Sequence, residues 1–147
     1  MQSLPHHYLV RSSGEAEGTV AVSAEGLGTI PTAPPEEFGG PGGYWTPEHL
    51  FVASIADCFV LSFRAVARAS RLEWRHLACD VDAELDRPDR ALRFTRVTLR
   101  PRLEIADDGN RNAALRCLEK AERACLITNS LDCEVTLEPR VDVQTGA

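Results

Sequence analysis

The sequence predicts an α+β fold, and three observations carry that prediction. Residues 46–70, TPEHLFVASIADCFVLSFRAVARAS, form one long apolar segment with the end signals of a helix. Residues 77–86 alternate between a mainly apolar and a mainly polar set, the period of a strand with one buried and one wet face. The segments run strands, helix, hairpin, helix, strand, without a βαβ rhythm, so helices and sheets are segregated along the chain.

Taken in order, residues 6–12 and 19–24 read as short strands joined by the polar turn Ser13-Gly14-Glu15-Ala16, a hairpin. Residues 26–43, GLGTIPTAPPEEFGGPGG, hold six of the ten glycines and four of the nine prolines, too many for the interior of a regular element. They are expected to be a shaped loop. In the helix that follows, Thr46 caps, Pro47 suits the first position and Glu48 sets negative charge at the positive end of the dipole. Between Leu50 and Phe63 the only charged residue is Asp57, so this helix is apolar nearly all round and is expected to be the buried centre of the fold. A membrane span needs roughly 20 consecutive apolar residues, and Asp57, Arg64 and Arg68 interrupt this stretch before that length is reached, so burial is the better reading.

Leu77, Cys79, Val81, Ala83 and Leu85 then line one face of a strand, and Arg87-Pro88-Asp89-Arg90 turns the chain. The returning strand carries Leu92 and Phe94 on one parity and Val97, Leu99, Leu103 and Ile105 on the other. That switch predicts a bulge near Thr95, because one inserted residue moves the apolar set between faces. Asp107-Asp108-Gly109 offers caps for a second helix, in which Ala114, Leu118, Ala121 and Cys125 share a face. The closing strand puts Cys133, Val135, Leu137, Val141 and Val143 on one side, and Pro139 either marks it as an edge strand or interrupts it.

Composition bounds the function. The chain of 147 residues, 44% apolar, is read as a single domain over residues 1–147 with enough apolar content for a core. Sixteen basic against twenty-two acidic residues give a net charge of -6, which disfavours nucleic acid and anionic membranes as partners. The start, MQSLPHHYLV, lacks the basic segment and apolar run of a secretory signal, so the expected compartment is the cytoplasm. Five cysteines at 58, 79, 117, 125 and 133 form no CxxC, and His6, His7, His49 and His76 have no ligand spacing to them. No metal or other cofactor is expected, and the histidines read as structural or surface residues. The odd cysteine count in a reducing compartment points to free thiols.

Cys58 lies inside the central helix and Cys125 at the end of the second, 67 residues later. Each alone reads as a small buried hydrophobe, while the two together leave open a peroxidatic and resolving pair. Asp57 would raise the Cys58 pKa if its charge were close, but adjacent helical positions point about 100° apart. Glu48 stands ten residues before Cys58, roughly 15 Å away on a straight helix, so it reaches Cys58 only of a second subunit whose helix crosses antiparallel. Otherwise Glu48 is a dipole partner alone.

The segment GGPGGYWTPEHLFVASIADCF, with the later AERACLITNSL, resembles the OsmC/Ohr family of thiol peroxidases. In that family a Gly/Pro-rich loop leads through a Pro-Glu pair, here Pro47 and Glu48, into the central helix. The peroxidatic cysteine follows ten residues later, here Cys58, and the second cysteine precedes an Asn, as Cys125 precedes Asn129. The resemblance implies an OsmC-like fold, antiparallel sheets wrapped around a long buried helix and a second helix, in an intertwined homodimer. It also implies reduction of organic hydroperoxides by Cys58, resolution by Cys125, and regeneration by a dithiol reductant, a lipoylated protein or a small thiol. Glu48 would organise the site. The family pairs that Glu with an Arg before the helix, yet this chain has no Lys or Arg between Arg11 and Arg64, and seven acidic residues lie in that interval. Arg11, or Arg64 or Arg68 of a partner chain, is the available substitute. The competing class is a non-catalytic protein that keeps the pocket for a small apolar ligand or senses redox state.

Overall fold

A computed structural model describes residues 1–145, so the last two residues of the expected 1–147 domain lie outside the described residues. The chain divides into two compact units, Met1–Phe51 and Val52–Ala147.

In the first unit, β1 (Arg11–Ser13), β2 (Val20–Ser23) and β3 (Ile30–Thr32) form an antiparallel sheet in that order. The expected hairpin is present but shorter, because pairing begins at Arg11↔Ser23 and residues 6–10 lie outside any strand. β3 lies within the segment expected to be loop alone. It is an edge strand, where Pro31 opposite Ala21 is tolerated, and its Thr32 hydroxyl donates to the Val20 carbonyl at 3.0 Å. The rest of the segment is indeed shaped. A 3-10 turn at Glu36–Phe38 closes on Gly39 in the left-handed conformation, and a Cβ at Gly40 would overlap the Pro34 carbonyl. The Ala33 N–H then donates to the Trp45 carbonyl at 3.1 Å, which leads the chain into the long helix.

That helix, α1 (Pro47–Ala69), starts as its sequence dictates: the Thr46 hydroxyl oxygen accepts from the His49 N–H at 3.0 Å. The His49 ring contacts the same hydroxyl at 2.7 Å and meets Trp45 edge-on, so it is structural. Burial departs from expectation. Only one strip, Ile55, Phe59, Phe63 and Ala67, is buried, whereas Leu61 is 51% exposed. One chain packs one face of α1 and leaves the rest of an apolar circumference uncovered among the described residues. By length and composition alone α1 is also apolar enough to cross a membrane, a property that the core helix of a globular protein shares.

In the second unit, β4 (His76–Asp86) pairs antiparallel with β5 (Arg93–Ile105). Glu84 pairs with Arg96 and Leu85 with Phe94, which leaves Thr95 as the extra residue of a bulge, where the parity switch predicts it. Val97, Leu99, Leu103 and Ile105 are fully buried on β5. A 3-10 turn, Asp108–Asn110, capped by the Asp107 carboxylate on the Gly109 N–H at 2.9 Å, opens α2 (Arg111–Ala124). α2 buries Ala114, Cys117, Leu118 and Ala121.

The closing strand is interrupted, as Pro139 allows, into β6 (Glu134–Leu137) and β7 (Arg140–Val143). Both join β5 in parallel, β6 along residues 96–99 and β7 along 102–105, so the break faces Arg100 and Pro101. The sheet is therefore mixed and not wholly antiparallel. β5, α2 and β6 make a crossover unit that the segment order conceals, because a parallel pair needs a long connection and α2 supplies it.

Phe63 meets Trp74 edge to face with ring centroids 5.2 Å apart. Phe63→Ala should lower the unfolding free energy by about 3–5 kcal/mol, the usual cost of emptying a core aromatic site. Arg100→Ala, which removes exposed pairs with Asp82 at 3.7 Å and Glu138 at 3.0 Å, should cost no more than about 1 kcal/mol. Urea unfolding with an unchanged slope would measure both, and a reversed order would contradict the packing described.

Candidate active site

Cys58 occupies the edge of the buried strip of α1, one residue before Phe59, and is half-buried. Cys125 is the residue at which α2 ends and is fully buried. The Val52–Ala147 unit brings their side chains into hydrogen-bond contact. Ser62, one helical turn beyond Cys58, puts its hydroxyl 3.8 Å from the same sulfur. Asp57 is exposed, in keeping with the 100° step between neighbours.

These contacts treat the two thiols oppositely. Burial raises the Cys58 pKa, but hydrogen bonds from the Ile127 N–H, the Cys125 thiol, the Ser62 hydroxyl and the Leu126 N–H outweigh it and hold Cys58 below an ordinary thiol. Every influence that lowers it is a hydrogen bond, and none is a cation. Burial raises Cys125, the Thr128 N–H and hydroxyl pull it down, and its bond to Cys58 together with the charge there pushes it up. Cys125 ends above an ordinary thiol.

The remaining cysteines are set apart from this chemistry. Burial and the neighbouring Asp80 push Cys79 up to about 12, despite a hydrogen bond from the backbone at Arg100. Burial and Asp132 raise Cys133 as well. Cys117 is a buried packing residue of α2. All five are free thiols, and among the described residues no cluster of three or more His, Cys, Asp or Glu is arranged to hold a metal ion.

Glu48 belongs to the first unit. There it lines an apolar groove of about 490 Å³ with Val20, Val22, Ala33, Pro35 and Phe38, and its Oε2 is buried without a hydrogen-bond partner among the described residues. Arg11 is exposed on β1, and Arg64 and Arg68 are exposed on α1.

Sequence reasoning singles out Cys58 and Cys125, which the Val52–Ala147 unit brings together, but not Ser62, Leu126, Ile127 or Thr128. The Ser62 signal was available, since residues four apart share a helix face. Leu126 and Ile127 act through backbone N–H groups and carry no side-chain signature. Thr128 and its neighbours Asn129 and Ser130 are turn formers directly after a helix end, a pattern that marks a shaped turn without saying what it serves.

Only the thiolate is alkylated, so a thiol with a lowered pKa reacts at lower pH. Peptide mapping of alkylation against pH should show Cys58 reacting with a midpoint below that of an ordinary thiol. Cys125 and Cys133 should react above it, and Cys79 last. Cys79 reacting ahead of Cys58 would show the site to be wired differently.

A family model described as OsmC-like protein matches residues 40–140, more than half of the chain. The Bacillus subtilis (strain 168) protein YmaD, itself uncharacterized, is 21% identical over 146 residues, 96% of this chain and 97% of YmaD. Among solved structures, an organic hydroperoxide resistance protein OsmC from Legionella pneumophila superposes with a TM-score of 0.76 at 25% identity. That match covers 96% of this chain and 100% of the Legionella chain. An OsmC-like protein of unknown function from Vibrio cholerae gives a TM-score of 0.82 at 18% identity, over 92% of this chain and 99% of its own. With the family pattern matched across the loop, both helices and the sheet between them, the chain belongs to the OsmC-like family.

Proposed function

We propose that this chain is a thiol-dependent peroxidase that reduces organic hydroperoxides through Cys58 and Cys125. The observation that carries the reading is the bond between the two thiols, which lowers one and raises the other. A nucleophile needs its thiolate at neutral pH, and a resolving thiol is best kept protonated until its partner is oxidised. The Legionella relative, an organic hydroperoxide resistance protein, points the same way.

In this reading the Cys58 thiolate attacks one oxygen of the hydroperoxide, forming an S–O bond as the O–O bond breaks. The alkoxide leaves, takes a proton and departs as an alcohol, and Cys58 is left as a sulfenic acid. Cys125 then attacks that sulfur; the S–S bond forms, the S–O bond breaks, and the hydroxyl leaves with the Cys125 proton as water. A dithiol, whether carried on a lipoylated protein or a small molecule, returns two electrons and two protons and becomes a disulfide itself.

The same proposal has residues 1–147 acting as one domain in a cytoplasmic homodimer. The uncovered circumference of α1 supports a second copy, as do Tyr8 and Leu9, which are 87% and 89% exposed. Two α1 helices crossing antiparallel would bring Glu48 of one copy to Cys58 of the other, where it would organise the site and find a donor for its unpartnered Oε2. The rival reading, a small-ligand binder, draws on the apolar groove in residues 1–51.

With cumene hydroperoxide and a dithiol, Cys58→Ser should abolish turnover, and Cys125→Ser should allow one turnover that stops at the sulfenic acid or overoxidises. Cys79→Ser, Cys117→Ser and Cys133→Ser should leave turnover largely intact. Undiminished turnover in Cys58→Ser would overturn the nucleophile assignment, and no turnover in the unaltered protein would favour the ligand binder. Light scattering at low micromolar concentration should give the mass of a dimer, and a monomer would remove the shared-site argument for Glu48.

A further inference from the structure

The last carbonyls of a helix lack helical partners, and how they are satisfied fixes the path of the chain beyond. After α2 three consecutive side chains take one carbonyl of its last turn and two of the residues that follow. Thr128 Oγ1 donates to the Cys125 carbonyl at 3.1 Å, Asn129 Nδ2 to that of Arg123 at 3.1 Å, and Ser130 Oγ to that of Leu126 at 2.8 Å. Backbone bonds from Asn129 N to Cys125 O and from Ser130 N to Ile127 O, both 3.0 Å, complete the turn. In the same turn the backbone of Ile127 and of Leu126 hydrogen-bonds the Cys58 sulfur. Successive backbone N–H groups converging on one anion form a nest that stabilises negative charge without a cation.

We propose that Thr128, Asn129 and Ser130 are positioning residues, which lock the turn after α2 so that the backbone donors of Leu126 and Ile127 hold the Cys58 thiolate in place of an arginine. The inference rests on Cys58 being the nucleophile. The titratable neighbour of Cys58 is Cys125, Asp57 on its own helix is exposed, and Ser62 adds a neutral donor.

The test is the pH profile of Cys58 alkylation by iodoacetamide, read by peptide mapping on the full chain in Thr128→Val, Thr128→Ser and Asn129→Ala. Thr128→Val and Asn129→Ala should move the midpoint up and slow the reaction at neutral pH by about threefold or more, because less thiolate is present. Thr128→Ser, which keeps the hydroxyl, should retain the wild-type profile. Wild-type profiles in both Thr128→Val and Asn129→Ala would overturn the proposal. So would an equal rise in Thr128→Ser, since packing at a buried position would then be the cause. Asn129 is exposed, so its variant decides the matter if Thr128→Val fails to fold. Cumene hydroperoxide consumption is followed in parallel. Shifted profiles in a protein that consumes no peroxide would support the role of the turn and sink the peroxidase reading. Turnover with unshifted profiles would do the reverse.

Discussion

The end of α2 is the constraint on which the site depends. A helix commonly closes with glycine in the left-handed conformation, which lets backbone N–H groups fold back onto the last carbonyls. Leu126 and Ile127 stand there instead, and Ile127 is right-handed with φ -69°. Side chains and backbone close the turn together: the Cys125 N–H donates to the Glu122 carbonyl, Asn129 Nδ2 to that of Arg123, and the Thr128 and Ser130 hydroxyls to those of Cys125 and Leu126, while the backbone of Leu126 and Ile127 meets Cys58. The same closure thus secures the helix and charges the site.

Where that turn sits is decided by β5. Its buried Val97, Leu99, Leu103 and Ile105 present a continuous apolar face, and α2 packs on it through small residues, Ala114, Cys117 and Ala121, beside Leu118. Arg111, in the first turn of α2, donates to the Val141 carbonyl of β7 at 2.8 Å and ties the other end of the helix to the sheet. With both ends held, Cys125 has little freedom. The strip from Ile55 to Ala67 likewise fixes the rotation of α1, so Cys58 must lie at its edge. Two packing problems, each solved by ordinary hydrophobic burial, leave two sulfurs in contact.

Much of this was legible in the sequence, and what was not has physical reasons. Thr46, Pro47 and Glu48 marked the start of α1, the parity switch marked the bulge at Thr95, and Pro139 marked the break between β6 and β7, because each residue type has few alternatives at such positions. Parallel pairing of β6 and β7 was hidden, since alternation reports a strand but not its direction. β3 was hidden by Pro31 and its glycine neighbours, which are breakers in a sheet interior but acceptable at an edge. Burial of α1 was overestimated because an apolar circumference says what a helix prefers and not how much of it one chain can cover. In the site, side-chain chemistry was readable at Cys58 and Cys125. The backbone donors were not, because any residue except proline presents the same N–H.

The first step of the proposed reaction changes what holds Cys125. Before it, the bond to Cys58 and the charge there both hold Cys125 up, and so keep it protonated. Once Cys58 is a neutral sulfenic acid, that charge is gone and the Cys125 proton is no longer tied to a thiolate. Burial still opposes ionisation of Cys125, but the Thr128 N–H, which favours its thiolate, remains in place. Its pKa must therefore fall at the moment when its attack is required. In the proposed reaction, oxidation of the first sulfur thus removes the charge that holds the second one protonated.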